Sequence, residues 1–314
     1  VPAFTVNRLC ASGLQAIISA AHTIIAGDCD VALAGGVDVM SRAAFFAPAV
    51  RWGQRMGDAA LIDELTGALS DPFHQYHMGV TAENVAKRYG ISREDQDALA
   101  LESQTRAARA IEEGRFKDQI VAVEIKGRKG TVNFDTDEYV RRDAKLSDFT
   151  SLRPAFQKEH GTVTAGNASG INDGAAAVVL ASGEAVRAHG LTPLARLVAY
   201  GYAGVDPAYM GIGPVPATHN ALARAGLSVN DLDVVEANEA FAAQACAVAR
   251  ELGFDSAKVN PNGSGIALGH PIGGTGAIIT TKAVHELHRT GGRLALTTMC
   301  IGGGQGMSAI WERT

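Results

Sequence analysis

The chain has 314 residues, 46% of them apolar, 19% charged and only 6% aromatic, enough sequence for two or three core-bearing units. Its net charge of −5 argues against a general attraction to nucleic acid or anionic membrane, so a phosphate-bearing ligand must be met by local basic residues or helix N-termini. No apolar run approaches the roughly 18 residues of a membrane span, and the opening VPAFTVNRLC lacks the charged start and apolar run of a secretory signal.

In chain order, Phe4, Val6 and Leu9 read as a strand running into CASG. Leu14, Ile17, Ile18, Ala21 and Ile25 then recur at helical spacing, Gly27 stops the helix, and VALAGG reads as a short strand buried on both faces. From Ser41 to about Gly170 the buried-strand pattern disappears and charges gather, including KGRKG at 126–130 and Arg141–Arg142. Within this stretch Ser92 and Asp95 form a capping-box pattern that opens a helix running through LALESQTRAARAIEEG. The whole stretch reads as an inserted subdomain. Sheet grammar resumes with GAAAVVLAS at 174–182 and continues through LARLVAYG, a helix at 217–225, the strand LDVVEA and the helix AFAAQACAVAREL. At the end, GHPIGGTG leads into a helix carrying Ile278, Ile279, Ala283 and Leu287, closed by Gly291–Gly292 and followed by the buried strand LALTTM. This repeats the opening pattern. An internal duplication would give Cys10 and His270 equivalent places, each at a strand-to-helix turn. The expected units are 1–40 with 171–193, an insertion at 41–170, and 194–314.

Cysteines stand at 10, 29, 246 and 300, with no CxxC pair and no clustered histidines. No zinc site is expected, and scattered thiols suit a reducing cytoplasm. Cys29 and Cys246 read as small core hydrophobes. Cys10 is different: small neighbours leave room for an acyl group, and a helix N-terminus favours the thiolate and offers N–H groups to an oxyanion. His270 lies in a Gly-rich turn with Pro271 at the expected first helical position. Asn238 and Glu239 follow the strand LDVVEA; Asn238 is either a plain N-cap or a group presented at the C-terminal sheet edge, where α/β enzymes build sites. Cys300 opens CIGGGQG, a nest of exposed N–H groups rather than a dinucleotide fingerprint, and suits an acid/base role.

With these residues placed, the chain resembles the thiolase family, and closely its bacterial biosynthetic and broad-range β-ketothiolases. The likeness runs through VNRLCASGLQA, HMGVTAENVA, RPAF, TAGNASGINDGAA, GVDPAYMGIGP, VEANEAFAAQA, NPNGSGIALGHPIG and TMCIGGGQG. It implies an α/β fold of duplicated βαβαβ halves in a layered αβαβα arrangement with an inserted loop subdomain. It implies a ping-pong acyltransferase that condenses two acyl-CoAs to a 3-ketoacyl-CoA, or runs the thiolytic reverse. Cys10 is then the acylated nucleophile and His270 its activator and a later partner of the enolate oxygen. Asn238 holds a water in that oxyanion site, Cys300 is the base for the α-proton, and the N–H groups of Cys10 and Gly302 form the first oxyanion hole. His77, Met78, Arg141, Ser169 and Phe241 fall to the CoA and acyl-binding side. Acetyl-CoA and acyl-CoA are the expected partners, CoA is a substrate, and no permanent cofactor, nucleic acid or membrane is expected. A cytoplasmic homotetramer, a dimer of dimers, is implied, with FFAPAVRW at 45–52 as a possible contact. About eighty residues of the family's N-terminal half are expected to precede Val1, and their loss would leave sheet backbone groups unpaired. Two alternatives stay open: a decarboxylating ketosynthase of the same superfamily, and an inactive thiolase-like CoA- or lipid-binding fragment.

Overall fold

The computed structural model describes residues 1–128 and 130–314; Lys129 of KGRKG lies outside the described residues. A short 3-10 turn, Leu9–Ala11, opens helix α1 (Ser12–Ile25), and strand β1 (Val31–Val39) follows. The insertion contributes the paired β2 (Phe45–Phe46) and β3 (Ile62–Asp63), then α2 (Glu64–Ala68), α3 (Met78–Tyr89) and α4 (Arg93–Glu112). The hairpin of β4 (Val123–Gly127) and β5 (Gly130–Phe134) and the short α5 (Leu146–Thr150) complete it. Ser92 and Asp95 do close a capping box on α4. The chain returns as β6 (Asp173–Ala181), antiparallel to β1, and α6 (Gly183–His189).

The second half runs β7 (Ala195–Gly204), α7 (Pro214–Ala225), β8 (Val234–Ala237), α8 (Ala242–Leu252), α9 (Gly265–Leu268), α10 (Thr275–Thr290), β9 (Leu294–Ile301) and β10 (Gln305–Arg313). Its sheet has the order β7–β10–β9–β8, with β8 and β9 parallel. Helices α1 and α10 lie side by side between this sheet and the β1–β6 pair, and α7 packs on β7 and β10 from the other side. The central core joins Leu14, Ile17 and Ile18 of α1 to Ile279 and Leu287 of α10 and to Met299 and Met307 of the sheet. Each such side chain, fully buried, is worth about 1.5–3 kcal/mol.

Glycine decides how closely the two helices meet. A methyl group on Gly276 would lie 2.3 Å from the Leu14 nitrogen, and one on Gly13 would lie 2.7 Å from that of Ala277. Their absence lets the N-terminal ends of α1 and α10 touch backbone to backbone. The residues just ahead of those ends are Cys10 and His270.

Three expectations need correction. Residues 1–8 form no strand, because they pair with no described neighbour, and Val1 and Phe4 are exposed. VALAGG does belong to a strand, but not to one buried on both faces. The side chains of Val31, Leu33 and Val37 are exposed while Ala34 faces the core, because β1 has only β6 beside it and helices on one side. Pro271 is not the first helical residue: its carbonyl accepts from the Gly274 and Thr275 N–H groups in a preceding turn, and α10 starts at Thr275.

Candidate active site

The site forms where the turn before α1, the turn before α10 and the ends of β8 and β9 converge. Cys10 lies in the 3-10 turn, which packs on β9 and on α10. Leu9 beside it holds φ +46°, a left-handed conformation rarely taken by a branched side chain. Cys10 is half-buried, and both its own N–H and that of Gly302 serve its sulfur. These donors pull the thiol pKa down, but burial outweighs them and the nearby Asp38 adds to the rise, so the net direction is up. The expected helix-terminus bias toward the thiolate is present and loses to desolvation. Such a thiol needs a base.

His270 is the candidate for that role. It is buried, and burial pushes its pKa down to about 4, so the imidazole is neutral through the physiological range. Its tautomer follows from its neighbour. Thr275 Oγ1 lies 2.8 Å from Pro271 O and 2.6 Å from His270 Nδ1. A carbonyl only accepts, so the single hydroxyl proton goes to Pro271, and the hydroxyl oxygen must accept from Nδ1–H. The remaining nitrogen, Nε2, is then free to take a proton.

Asn238 follows β8 and does not cap α8, whose N-cap is Phe241. Its side-chain nitrogen stands 3.5 Å from both ring nitrogens of His270. Its Oδ1 is buried with no partner among the described residues, a state that costs about 1–3 kcal/mol and calls for a functional reason. A Cβ on Gly265 would come within 2.9 Å of that oxygen.

Cys300, on β9, is wholly buried, and burial and Cys10 together hold its thiol far above the usual range. Its strand packs against the 3-10 turn that carries Cys10. After Ile301 the chain turns through Gly302, Gly303 and Gly304, with φ +78° and +86° at the last two, so only glycine fits without strain. That turn aims the Gly302 N–H at Cys10.

Of the residues expected on the CoA side, Met78 and Phe241 join Cys300 in one buried cluster, and Met78 closes on Gly302. His77 caps α3, accepting from the Gly79 N–H through Nδ1, and stacks on Phe156 at 4.7 Å. Ser169 donates its N–H to Ala240 O, beside the NEAF segment. Arg141 stands apart: it is exposed, and its N–H donates to Gln104 Oε1.

Residues 1–184 match the thiolase N-terminal domain family and residues 191–313 the thiolase C-terminal domain family. The chain belongs to the thiolase family. It is 70% identical to the beta-ketothiolase BktB of Cupriavidus necator over 312 residues, 99% of this chain and 79% of that protein. It is similar to the solved acetyl-CoA acetyltransferase of Bacillus anthracis, with TM-score 0.96, 49% identity, and coverage of 99% and 79% of the two chains. It is also similar to the human mitochondrial 3-ketoacyl-CoA thiolase solved in complex with CoA, at TM-score 0.96, 48% identity, and 100% and 78% coverage.

Sequence reasoning missed several groups in this thiolase. Thr275 was available as a hydroxyl in the first helical turn after the histidine. Asp38, whose carboxylate accepts from the Gly273 N–H and so ties β1 to the His270 turn, gave no signal. Neither did Asn260, which contacts the Asn238 segment only through folding.

Proposed function

We propose that this thiolase moves acyl groups between CoA thioesters through an acyl–Cys10 intermediate. In the first step the Cys10 proton passes to His270 Nε2, and the thiolate attacks the acyl-CoA carbonyl. The oxyanion is met by the N–H groups of Cys10 and Gly302, an arrangement typically worth about 3–4 kcal/mol of barrier per donor. CoA leaves as a thiol, taking its proton from Cys300. That leaves an acyl–Cys10 thioester, an imidazolium and a Cys300 thiolate.

In the second step the Cys300 thiolate removes the α-proton of acetyl-CoA, a task that suits a thiolate with a strongly raised pKa. The enolate oxygen is held by the His270 imidazolium and Asn238. The α-carbon attacks the acyl carbonyl, Cys10 departs as a thiolate, and the imidazolium returns its proton. The product is a 3-ketoacyl-CoA, and thiolysis runs the same path in reverse. The observation carrying this reading is a buried, neutral, tautomer-fixed His270 ahead of α10, which packs, as does the β9 strand of Cys300, against the 3-10 turn of Cys10. A ketosynthase that decarboxylates its substrate would need no second cysteine.

A 3-ketoacyl-CoA made this way suits both fatty acid metabolism and the making of polyhydroxyalkanoate precursors. Coenzyme A is a substrate, with no permanently bound cofactor. Met78 and Phe241 border the acyl group, while His77, Ser169 and Arg141 serve CoA further out. Residues 1–40 with 171–193 and 194–314 are the two catalytic halves, and 41–170 the CoA-covering unit. The exposed Phe45, Phe46, Trp52, Met56, Leu61 and Ile62 form an apolar arm suited to a homotetramer. No described helix is long and apolar enough to cross a membrane, and four free cysteines fit the reducing cytoplasm.

Incubation with acetyl-CoA followed by peptide mass spectrometry tests the reading. Acetyl on Cys10 is expected; an acetyl group elsewhere, or none on the protein, overturns it.

A further inference from the structure

β8 ends one residue before Asn238, and what secures that end is only partly a strand. On one side the Asn238 N–H donates to Thr298 O of β9 at 2.9 Å. On the other, a parallel bridge joins Val235 to Val259, and the Asn260 N–H donates to Val235 O at 2.8 Å. There the chain turns away, with Asn260 at φ +45°, a conformation asparagine tolerates better than most residues. The pairing continues through the side chain. Asn260 Oδ1 accepts from the Ala237 N–H at 2.9 Å, and its Nδ2 donates to Ala237 O at 2.9 Å. One carboxamide thus stands in for the peptide unit that would have extended the ladder to the edge of Asn238.

The clamp has a second jaw. Asn260 Nδ2 also donates to Glu239 Oε1 at 2.9 Å, and Glu239 Oε2 accepts from Ser103 Oγ at 2.6 Å. Asn260, Glu239 and Ser103 are all buried. The network therefore grips the residues on both sides of Asn238 and leaves the Asn238 side chain itself free to face His270. Its bonds reach nothing on the Cys10 turn.

We infer that Asn260, backed by Glu239, is a positioning residue for the carbon–carbon step. It fixes the Asn238 carboxamide against His270 and takes no part in acylating Cys10. This rests on the acyl-transfer reading above, in which Asn238 serves only the enolate.

The test compares single-turnover acetylation of Cys10 with steady-state condensation of acetyl-CoA in the full chain. Asn260→Ala should acetylate Cys10 within about threefold of the wild-type rate and condense about 100-fold more slowly, the size of loss that a small misplacement of a reacting group produces. Added to Asn238→Ala, it should cost less than about threefold more, since the two changes remove one function. Equal loss of both steps, or a full further loss on Asn238→Ala, overturns the inference. If Asn260→Ala does not fold, Asn260→Asp decides. It sets a carboxylate oxygen against both Ala237 O and Glu239, and should lose condensation while still acetylating Cys10 within about threefold of the wild-type rate; equal loss of both steps overturns the inference. A wild-type protein that gains no acetyl on Cys10 defeats the acyl-transfer reading first and this inference with it. Normal wild-type acetylation with failed variant outcomes defeats this inference alone.

Discussion

Leu33 in VALAGG and Leu296 in LALTTM occupy strands of much the same composition, yet Leu33 is 75% exposed and Leu296 wholly buried. β9 lies between β8 and β10, and helices pack on both sides of its sheet, whereas among the described residues β1 has β6 as its strand neighbour and helices on one face. Burial is set by the number of partners a strand finds, and an apolar run does not encode that number. The chemistry divides the same way. Cys10, the proposed nucleophile, comes from the open half and stays half-buried, while His270, Asn238 and Cys300 come from the closed half. The closed half supplies the desolvation that keeps His270 neutral, and the Gly13–Gly276 crossing brings Cys10 to it.

The largest effect expected across that division is on the cysteines. Cys10→Ala should remove the acetyl adduct and lower turnover on the order of 10⁴-fold or more, the behaviour of a residue whose loss disables the whole unit. Cys300→Ala should still form the adduct, more slowly, because CoA then departs as a thiolate without the proton Cys300 supplies, while condensation falls by about 10²–10⁴-fold, the usual contribution of a general base. If both steps fell together in Cys300→Ala, the division of labour between the halves would be wrong.

The packing contrast can be measured directly. Leu296→Ala should destabilise by about 2–5 kcal/mol, as a cavity in a closed core does, and Leu33→Ala by no more than about 0.5 kcal/mol, as at an exposed site. Denaturant unfolding of the two variants gives both values. Comparable losses would mean that β1 is as well covered as β9.

Much of this was legible before folding. The helices after Cys10 and before LALTTM, the capping box at Ser92 and the glycine nest at Gly302–Gly304 all rest on local signals: periodicity, a cap and a glycine run. Whether Phe4–Leu9 pairs, and which faces of β1 are covered, depend on neighbours outside those segments, so periodicity within them does not give the answer. The lowered pKa of His270 and the raised one of Cys10 likewise belong to burial by distant segments. At Cys10 a correct local argument, the helix terminus, was outweighed by a non-local one.

Burial of His270 has a cost that pH reveals. Its folded pKa of about 4 lies below the ordinary value of about 6.5, so the unfolded chain takes up the proton first. Stability should be full above about pH 6.5 and fall as pH drops toward 4, by about 3 kcal/mol in all. Glu236 runs the other way, with burial raising it to about 7, so its contribution is present below about pH 4.5 and lost as pH rises through 7. Comparing wild-type with His270→Asn isolates the histidine. Parallel stability curves for the two proteins would mean that His270 is not held neutral.

The smallest effect concerns the bond that chooses the tautomer. Thr275→Val keeps the shape of the side chain and removes the oxygen that accepts from His270 Nδ1–H. Pro271 O keeps its two backbone donors, Gly274 and Thr275 N–H, so no carbonyl is orphaned, but the buried His270 Nδ1 loses its partner and stability should fall by about 1–3 kcal/mol. Without that acceptor the ring also populates the Nε2–H form, which cannot take the Cys10 proton. Acetylation of Cys10 should slow by about tenfold with little change in KM, since the loss is in the fraction of competent base and not in substrate contacts. Thr275→Ser should recover most of the rate, because a hydroxyl there can again give its proton to Pro271 O and accept from Nδ1. An unchanged acetylation rate in Thr275→Val would mean that something else sets the ring. The closed half would then supply His270 with desolvation but not with orientation.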